Sequence, residues 1–585
     1  MRWALQAADE ALSNELAARA GLSPLMARLL VLRGVSTAEE AARFLAPSLT
    51  HLHSPYLMLG MQAAVPRVCA AIERKEQILI YGDYDVDGTT AIVILKTAIE
   101  LCGGTADFHV PHRIRDGYGM KDDVVEQAAA GGVRLIISVD TGIRAFAAAE
   151  TARRLGMDLI VTDHHLAHAA DGVPAALAVL NPNQPGCEYP CKALCGAGVA
   201  FKLAQAMLEK QGLSRLLPSF LKMVAIATIA DAVPLTGENR VFAKLGLEGL
   251  RSPVNAGLKA LFAAAELNGS RPLSTSDVAF RLAPRLNAAG RMDVARDVIE
   301  LFTVKDAERA RELAERLNQL NAERQQEEAR ICKQIETLLD GNAEMREAFC
   351  IVVESAGWHR GVIGIAATRV VERYCRPALV IAVEQEEGHG SGRSIQAFHL
   401  LNALESCAAL FTRFGGHAHA VGFALPASRI AELRTVLDKY ARARLTVADF
   451  EPVQKVDAEV QLGELSPEFF AAIQRMEPFG MGNPQPVFQA QARLLSAPRA
   501  MKEKHIKMRL TQSLAANSAQ AAPTTKNWEA MGWRMAERLQ QENLLPGDIL
   551  DIAFSMEMNS HPDFGGLQLA LCDCKRAEAR GAWGT

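Results

Sequence analysis

Gln77-Ile78-Leu79-Ile80-Tyr81-Gly82-Asp83-Tyr84-Asp85-Val86-Asp87-Gly88-Thr89-Thr90 is the stretch on which the fold of this chain turns. Its first five residues form a short apolar run, the pattern of a strand buried on both faces. Three carboxylates then fall at alternate positions, and a helical pattern follows through Ala91 to Leu101. Two more apolar runs, Arg134 to Val139 and Asp158 to Thr162, read as strands, with a helix between them near Ala145 to Leu155. Strand, helix and strand in this rhythm predict βαβ units and a parallel sheet. Each run ends in a polar cluster, and open parallel sheets bind ligands beyond the carboxyl ends of their strands.

Outward from this core, the 585 residues predict roughly three or four domains. Hydrophobic residues at 49% and charged residues at 22% give an ordinary globular balance. The net charge of -4 argues against a generally basic surface, although a local groove is enough to hold phosphates. The amino terminus lacks the apolar stretch of a secretory signal. Runs such as Met223 to Ala230 are far shorter than the ~20 residues of a membrane span. The eleven cysteines show no framework spacing, which predicts a reducing cytoplasm. Cys187, Cys191 and Cys195 recur every four residues, but without paired C-x2-C spacing or a nearby fourth ligand they read as a loop rather than a zinc site.

Lys305 to about Leu339 predicts a long charged helix, free of Gly and Pro until Gly341, connecting two halves. A second α/β region follows, with strands at Cys350 to Val353 and Ala378 to Ala382. The tail from Val453 to Cys574 carries strand-like pieces at Ala490 to Leu495, Ile506 to Leu510 and Ile549 to Phe554, which suggest a small β-barrel. Ser513 to Thr525 is rich in Ala, Ser, Gln, Asn and Thr and reads as a flexible insertion.

The chemistry starts with Asp83, Asp85 and Asp87. Carboxylates this close repel one another, and holding them ionised together calls for a cation. Hard divalent ions with oxygen ligands fit, magnesium or manganese rather than copper. An EF-hand calcium loop is excluded, because its twelfth position, counted from Asp83, is Ile94 rather than Glu. Asp140, the pair His164 and His165 after Asp163, and Asp231 each follow an apolar run. Read as four strand ends on one rim, they predict a dinuclear site with ions roughly 3.5–4 Å apart.

With these residues in view, Asp163-His164-His165 and the upstream Asp83-Tyr84-Asp85-Val86-Asp87-Gly88 resemble the DHH phosphoesterase superfamily. Ala283-Pro284-Arg285-Leu286-Asn287-Ala288-Ala289-Gly290-Arg291-Met292 is similar to the signature of its RecJ branch. Ser391-Gly392-Arg393-Ser394 and Gly415-Gly416-His417-Ala418 are similar to the two motifs of the DHH-associated domain, and Pro478 to Pro484 to the segment entering an OB-fold. The resemblance implies a multidomain α/β chain. It has an N-terminal extension (1–45), a parallel-sheet DHH catalytic domain (46–300), a connecting helix (301–342), a smaller α/β DHH-associated domain (343–447) and a C-terminal OB-fold β-barrel (448–585). It also implies that Asp85, Asp87, Asp140, His164 and Asp231, with Asp83, hold two Mn2+ or Mg2+ ions. His165 has two readings, one directly against the phosphate and one that only orients a ligand.

The same resemblance places Arg113, Arg291, Ser391, Arg393 and His417 in a pocket for a 5′-terminal phosphate, where the planar guanidinium fork suits phosphate oxygens. Gly415, Gly416 and Gly422 would bring backbone close to the nucleic acid. In the tail, Arg493, Arg499, Lys502, Lys504, His505, Lys507 and Arg509 form a basic stretch open to two readings, tracking of single strands or an ordinary solvated hairpin. Phe479 and Phe488 read as core. The implied function is single-stranded-DNA-specific 5′ to 3′ exonuclease action in recombination and repair, releasing 5′-mononucleotides. The implied state is a monomer, with single-stranded DNA-binding protein and a RecQ-type helicase as partners. Alternatives are a DHH phosphoesterase on short oligoribonucleotides or cyclic dinucleotides, against which the long tail counts, and an inactive scaffold of the replicative-helicase type, against which the complete ligand set counts.

Overall fold

A computed structural model describes residues 1–167, 171–267, 271–292, 295–512, 526–559 and 565–577. The insertion expected at 513–525 lies outside them. The chain divides into two compact units: Leu49–Pro452, and Met1–Ser48 together with Val453–Thr585.

The larger unit is built first on a five-stranded, all-parallel sheet. Its order is Ala106–His109, Gln77–Tyr81, Val133–Val139, Asp158–Thr162, Ala178–Leu180. The chain leaves Gln77–Tyr81 for the edge on one side and returns to Val133–Val139 on the other. The strand order therefore reverses between these two neighbours, and a crevice at such a switch point is where open α/β sheets bind ligands. The strands bury Ile78, Ile80, Leu135, Ile137 and Ile160 against helices that include Val86–Leu101 and Gly196–Lys210.

A second sheet, ordered Arg413–Gly416, Ala420–Pro426, Glu387–Arg393, Ala378–Glu384, Ile351–Ala356, lies in the same unit. Ala307–Asp340 is one helix joining the two sheets, started by the Asp306 carboxylate, which accepts from Arg309 N. Its Ala310, Leu313 and Leu317 pack into the core of the first sheet, and its Ile331, Ile335 and Leu339 into that of the second. The two α/β halves thus share one rigid element.

The apolar run before Asp231 departs from expectation: Leu217–Ala230 is a helix, with Asp231 at its C-terminal end. The rim is built from three strand ends and one helix end, rather than four strand ends. A buried helix and a buried strand give the same uninterrupted apolar run, and length decides between them; this helix spans 14 residues.

In the smaller unit, Phe488–Leu494, Ile549–Asn559, Gly566–Arg576, Asn527–Gly532 and His505–Gln512 pair in succession. A further pairing of the first with the last closes the expected barrel. Phe488 is fully buried there and Phe479 packs against the same core. The N-terminal extension expected at 1–45, for which the sequence offers no role, falls within the Met1–Ser48 part of this unit. Arg2–Leu5 pairs in parallel with Val453–Val456, and Leu16, Leu29, Leu30 and Phe44 enter the barrel's core. Arg33 forms a buried ion pair with Asp457 at 3.2 Å. Arg33 also donates to Asn483 Oδ1 and the Pro484 carbonyl, so the charge is fully engaged. We expect Arg33→Met, which strands the Asp457 carboxylate, to destabilise this unit by about 3 kcal/mol, read as a lower denaturation midpoint in urea.

Candidate metal centre and anion pocket

Asp83 and Asp85 lie in the loop leaving Gln77–Tyr81, and Asp140 directly follows Val133–Val139, so the two groups face each other across the switch point. The Asp85 carboxylate accepts from Gly88 N and thereby starts the helix Val86–Leu101, which carries Asp87 in its first turn. Gly88 is required here, since a Cβ would fall 2.7 Å from the Asp83 backbone. Asp140 takes a left-handed backbone (φ 58), a region in which Asp is enriched among non-glycine residues.

Asp87, His164 and Asp231 bring ligand atoms within 4.8 Å of one another, and so do Asp83, Asp85 and Asp140, and also Asp140, His164 and His165. His164 Nε2 stands 3.3 Å from Asp140 Oδ1, 3.8 Å from Asp87 Oδ2 and 3.9 Å from Asp231 Oδ2. All six expected metal ligands therefore converge, with His165 beside them.

The electrostatics favour a cation. Burial, reinforced by the Asp85 charge on Asp83 and by the Asp87 and Asp85 charges on Asp140, holds both carboxyls well above the usual range. Burial, Asp87 and Asp85 push Asp231 up to about 9. Burial pulls the His164 imidazole down, which leaves a neutral nitrogen free to ligate. Among the described residues, Asp83 Oδ1 and Asp140 Oδ1 are buried without a hydrogen-bond partner. Unpaired buried carboxylate oxygens cost several kcal/mol each unless a charge meets them. Oxygen-rich triads with one imidazole fit a hard divalent ion such as Mn2+ or Mg2+.

Several supporting residues were not singled out from sequence. The buried Asp163 carboxylate accepts from Ile143 N, His164 N and His165 N, and pairs with His165 Nδ1 at 2.7 Å. It fixes both histidines. Burial alone would lower His165, but the Asp163 hydrogen bond and charge outweigh it and raise the imidazole to about 9. Both Asp87 oxygens accept from the start of the helix Gly196–Lys210, at 2.6 Å from Gly196 N and 2.8 Å from Ala197 N, a site suited to an anion. Gly196 is forced by crowding, because its Cβ would sit 2.5 Å from Asp140 Oδ1. The Cys195-Gly196-Ala197-Gly198 run at a helix start was the available signal. From the loss typical of such supporting carboxylates, Asp163→Asn should lower metal affinity about 10–100-fold. Titration calorimetry with Mn2+ measures it.

Beside the acids lies a cavity of 370 Å³ lined by Tyr84, Arg113, Arg291, Arg360, Ser391, Arg393 and Arg413, among others. Arg113 stacks over the Tyr84 ring at 4.8 Å. Arg393 Nη1 donates to Ser391 Oγ at 3.1 Å, and Arg291 Nη1 to the Gly361 carbonyl at 3.0 Å. Burial, then the neighbouring charges of Arg113 and Arg393, push Arg291 down to about 9. Crowded guanidinium groups, of which Arg291 and Arg393 are held by neutral acceptors and Arg360 lies 3.5 Å from Glu384, make an anion site. His417 does not line this cavity, although its imidazole feels the charges of His419, Arg393 and His399. Arg360 and Arg413 were missed, being isolated arginines outside the motifs that the sequence offered.

Comparison with known proteins gives a consistent picture. The profile of the DHH family N-terminal domain matches residues 77–228, that of the DHHA1 domain 347–443, and that of the RecJ OB domain 456–573. The chain is 37% identical to the single-stranded-DNA-specific exonuclease RecJ of Bacillus subtilis, over 99% of this chain and 71% of that one. It is 35% identical to RecJ of Escherichia coli, over 84% and 87% respectively. The fold superposes on crystal structures of Thermus thermophilus RecJ. The complex with Mn2+ gives a TM-score of 0.82 at 28% identity, covering 99% of this chain and 80% of that one. The complex with Mg2+ gives 0.76 at 27%, covering 99% and 79%.

Proposed function

We propose, on the premise that this chain belongs to the RecJ family, that it is a single-stranded-DNA-specific exonuclease. It hydrolyses phosphodiesters with two divalent ions and counts nucleotides from a 5′ end. The observation that carries this reading is the adjacency of the acid–histidine cluster to the arginine cavity, with Tyr84 lining the cavity between Asp83 and Asp85. One site suits a cation and its neighbour an anion, as an enzyme needs that grips a terminal phosphate while cutting the next.

Asp83, Asp85 and Asp140 would hold one ion and Asp87, His164 and Asp231 the other. When bound, such ions acidify a water and stabilise the departing oxygen. Asp163 keeps the His165 ring oriented, so that His165 faces the scissile phosphate. Arg291, Arg393 and Ser391 hold the terminal phosphate and set the distance to the cut, so each cycle releases a 5′-mononucleotide. Manganese and magnesium both suit the oxygen-rich ligands. The chain acts as a monomer in the cytoplasm, in recombination and repair, with single-stranded DNA-binding protein and a RecQ-type helicase as partners. No described helix is long and apolar enough to cross a membrane.

Two experiments test the reading. Wild-type protein should digest a single-stranded oligonucleotide and spare the matching blunt duplex; equal digestion of both would overturn the strand preference. Arg393→Ala should raise the KM for a 5′-phosphorylated strand about 10–100-fold, the cost of a lost charged hydrogen bond, with little change for a 5′-hydroxyl strand. An equal loss on both strands would remove the phosphate-pocket assignment.

A further inference from the structure

Phe280 is a large aromatic side chain left 76% exposed, and it sits in a π-helical turn, Val278–Leu282, where Ala283 N donates to the Val278 carbonyl. Such turns interrupt α-helices frequently at functional positions. This one runs directly into Ala283–Met292, the helix that reaches the metal centre and the anion cavity. Asn287 Oδ1 accepts from Val86 N at the start of the helix bearing Asp87. Gly290 presses on the Tyr84 carbonyl, which a Cβ would approach to 2.2 Å, and Arg291 enters the anion cavity.

Leu282, Ala283, Leu286, Ala288, Ala289 and Gly290 are buried in this element. Phe280, Pro284, Asn287 and Arg291 stay at least partly open. Their spacing of four, three and four residues places them on one stripe. The open stripe leads from the solvent to the two sites, with Phe280 about 16 Å from Arg291 at the usual helical rise. That is roughly five nucleotides of stacked strand. Arg281 and Arg285 lie beside it, and Arg285 is held by the Arg281 and Ala264 carbonyls and Asn318 Oδ1, all neutral acceptors. An exposed ring on a rim carrying Arg285 and Arg281, the latter partly offset by Asp277 at 3.7 Å, and continuous with a phosphate site, is the chemistry of single-strand tracking.

We propose that Phe280 is a stacking platform for an unpaired base roughly five nucleotides inward from the 5′ end. It selects single strands, because a base paired in a duplex offers no free face to the ring. This rests on the exonuclease reading above and adds a residue to it.

The test compares Phe280→Ala, Phe280→Trp and Phe280→Leu in the full chain. Binding is read by fluorescence anisotropy in EDTA, and hydrolysis with Mn2+. Phe280→Ala should weaken binding of a 5′-phosphorylated oligonucleotide about tenfold, within the range of base–aromatic stacking. The same ratio should appear in KM rather than kcat, and the loss should be about tenfold larger than for a 5′-phosphorylated dinucleotide, which is too short to reach the ring. Tryptophan should restore binding and leucine should not. Equal losses on both lengths, a leucine variant as good as wild type, or no loss at all would each overturn the platform. If the wild type hydrolyses neither substrate, the exonuclease reading fails, and the anisotropy comparison still decides the platform.

Discussion

Asp140→Asn is expected to reduce nucleotide release about 10³-fold, equivalent to roughly 4 kcal/mol of transition-state stabilisation, while leaving the fold intact. Asparagine is the informative replacement because it keeps the shape of Asp140 and tolerates the left-handed backbone at φ 58. The same variant makes a second, opposite-signed statement. In wild type without metal, Asp140 is a buried carboxyl crowded by Asp87, Asp85, Asp83 and Asp231. Removing its charge relieves that repulsion, so the variant in EDTA should melt no lower than wild type. Adding Mn2+ should raise the melting temperature of wild type, because a ligand that binds only the folded state stabilises it. The variant should gain little. A variant that loses activity but still gains wild-type stabilisation from Mn2+ would remove Asp140 from the metal site.

The second large effect concerns stability. Lys202 and Glu238 form an ion pair at 3.0 Å with both side chains fully buried. Glu238 also accepts from Tyr189 Oη at 2.6 Å and His53 N at 2.9 Å, while Lys202 donates to the His53 carbonyl and Gln205 Oε1. Every partner is satisfied, and burial pulls the Lys202 ammonium down against the opposing pull of Glu238. Glu238→Ala strands a buried cation and a phenol together. We expect a loss of about 3–5 kcal/mol, seen as a fall in melting temperature on the order of 10 °C. The double variant Lys202→Met, Glu238→Leu should recover part of it, since it removes the stranded cation but still leaves the Tyr189 phenol and His53 N without their acceptor. A single variant within about 1 kcal/mol of wild type would show that solvent reaches the pair.

The parallel sheet was legible because its strands are short apolar runs that end in acids, and Gln77–Tyr81 and Asp158–Thr162 fall where the runs do. The long helix was legible for the complementary reason: charge at helical spacing without a glycine or proline. The helix before Asp231 was not, because an element buried on all sides loses the periodicity that separates helix from strand. The N-terminal residues gave no signal of their own, since their partner lies more than 400 residues away in sequence, as Arg2 pairing with Val453 shows. At the site, the residues with charge were visible and the residues that position them were not. Asp163 stood in a quoted motif, but only the folded backbone shows its carboxylate accepting from three amide groups. Gly196 works through the absence of a side chain, and Arg360 and Arg413 meet Arg291 only after folding.

The central claim is that the acid–histidine cluster cuts single-stranded DNA at a distance set from its 5′ end by the arginine cavity. The most direct measurement follows one oligonucleotide labelled at its 5′ end and the same one labelled at its 3′ end, with Mn2+ or Mg2+, in wild type and Asp140→Asn. Early release of a labelled mononucleotide from the 5′ label alone, abolished by EDTA and in the variant, is the predicted result. Early release from the 3′ label would contradict the claim, and so would release that survives both EDTA and the variant.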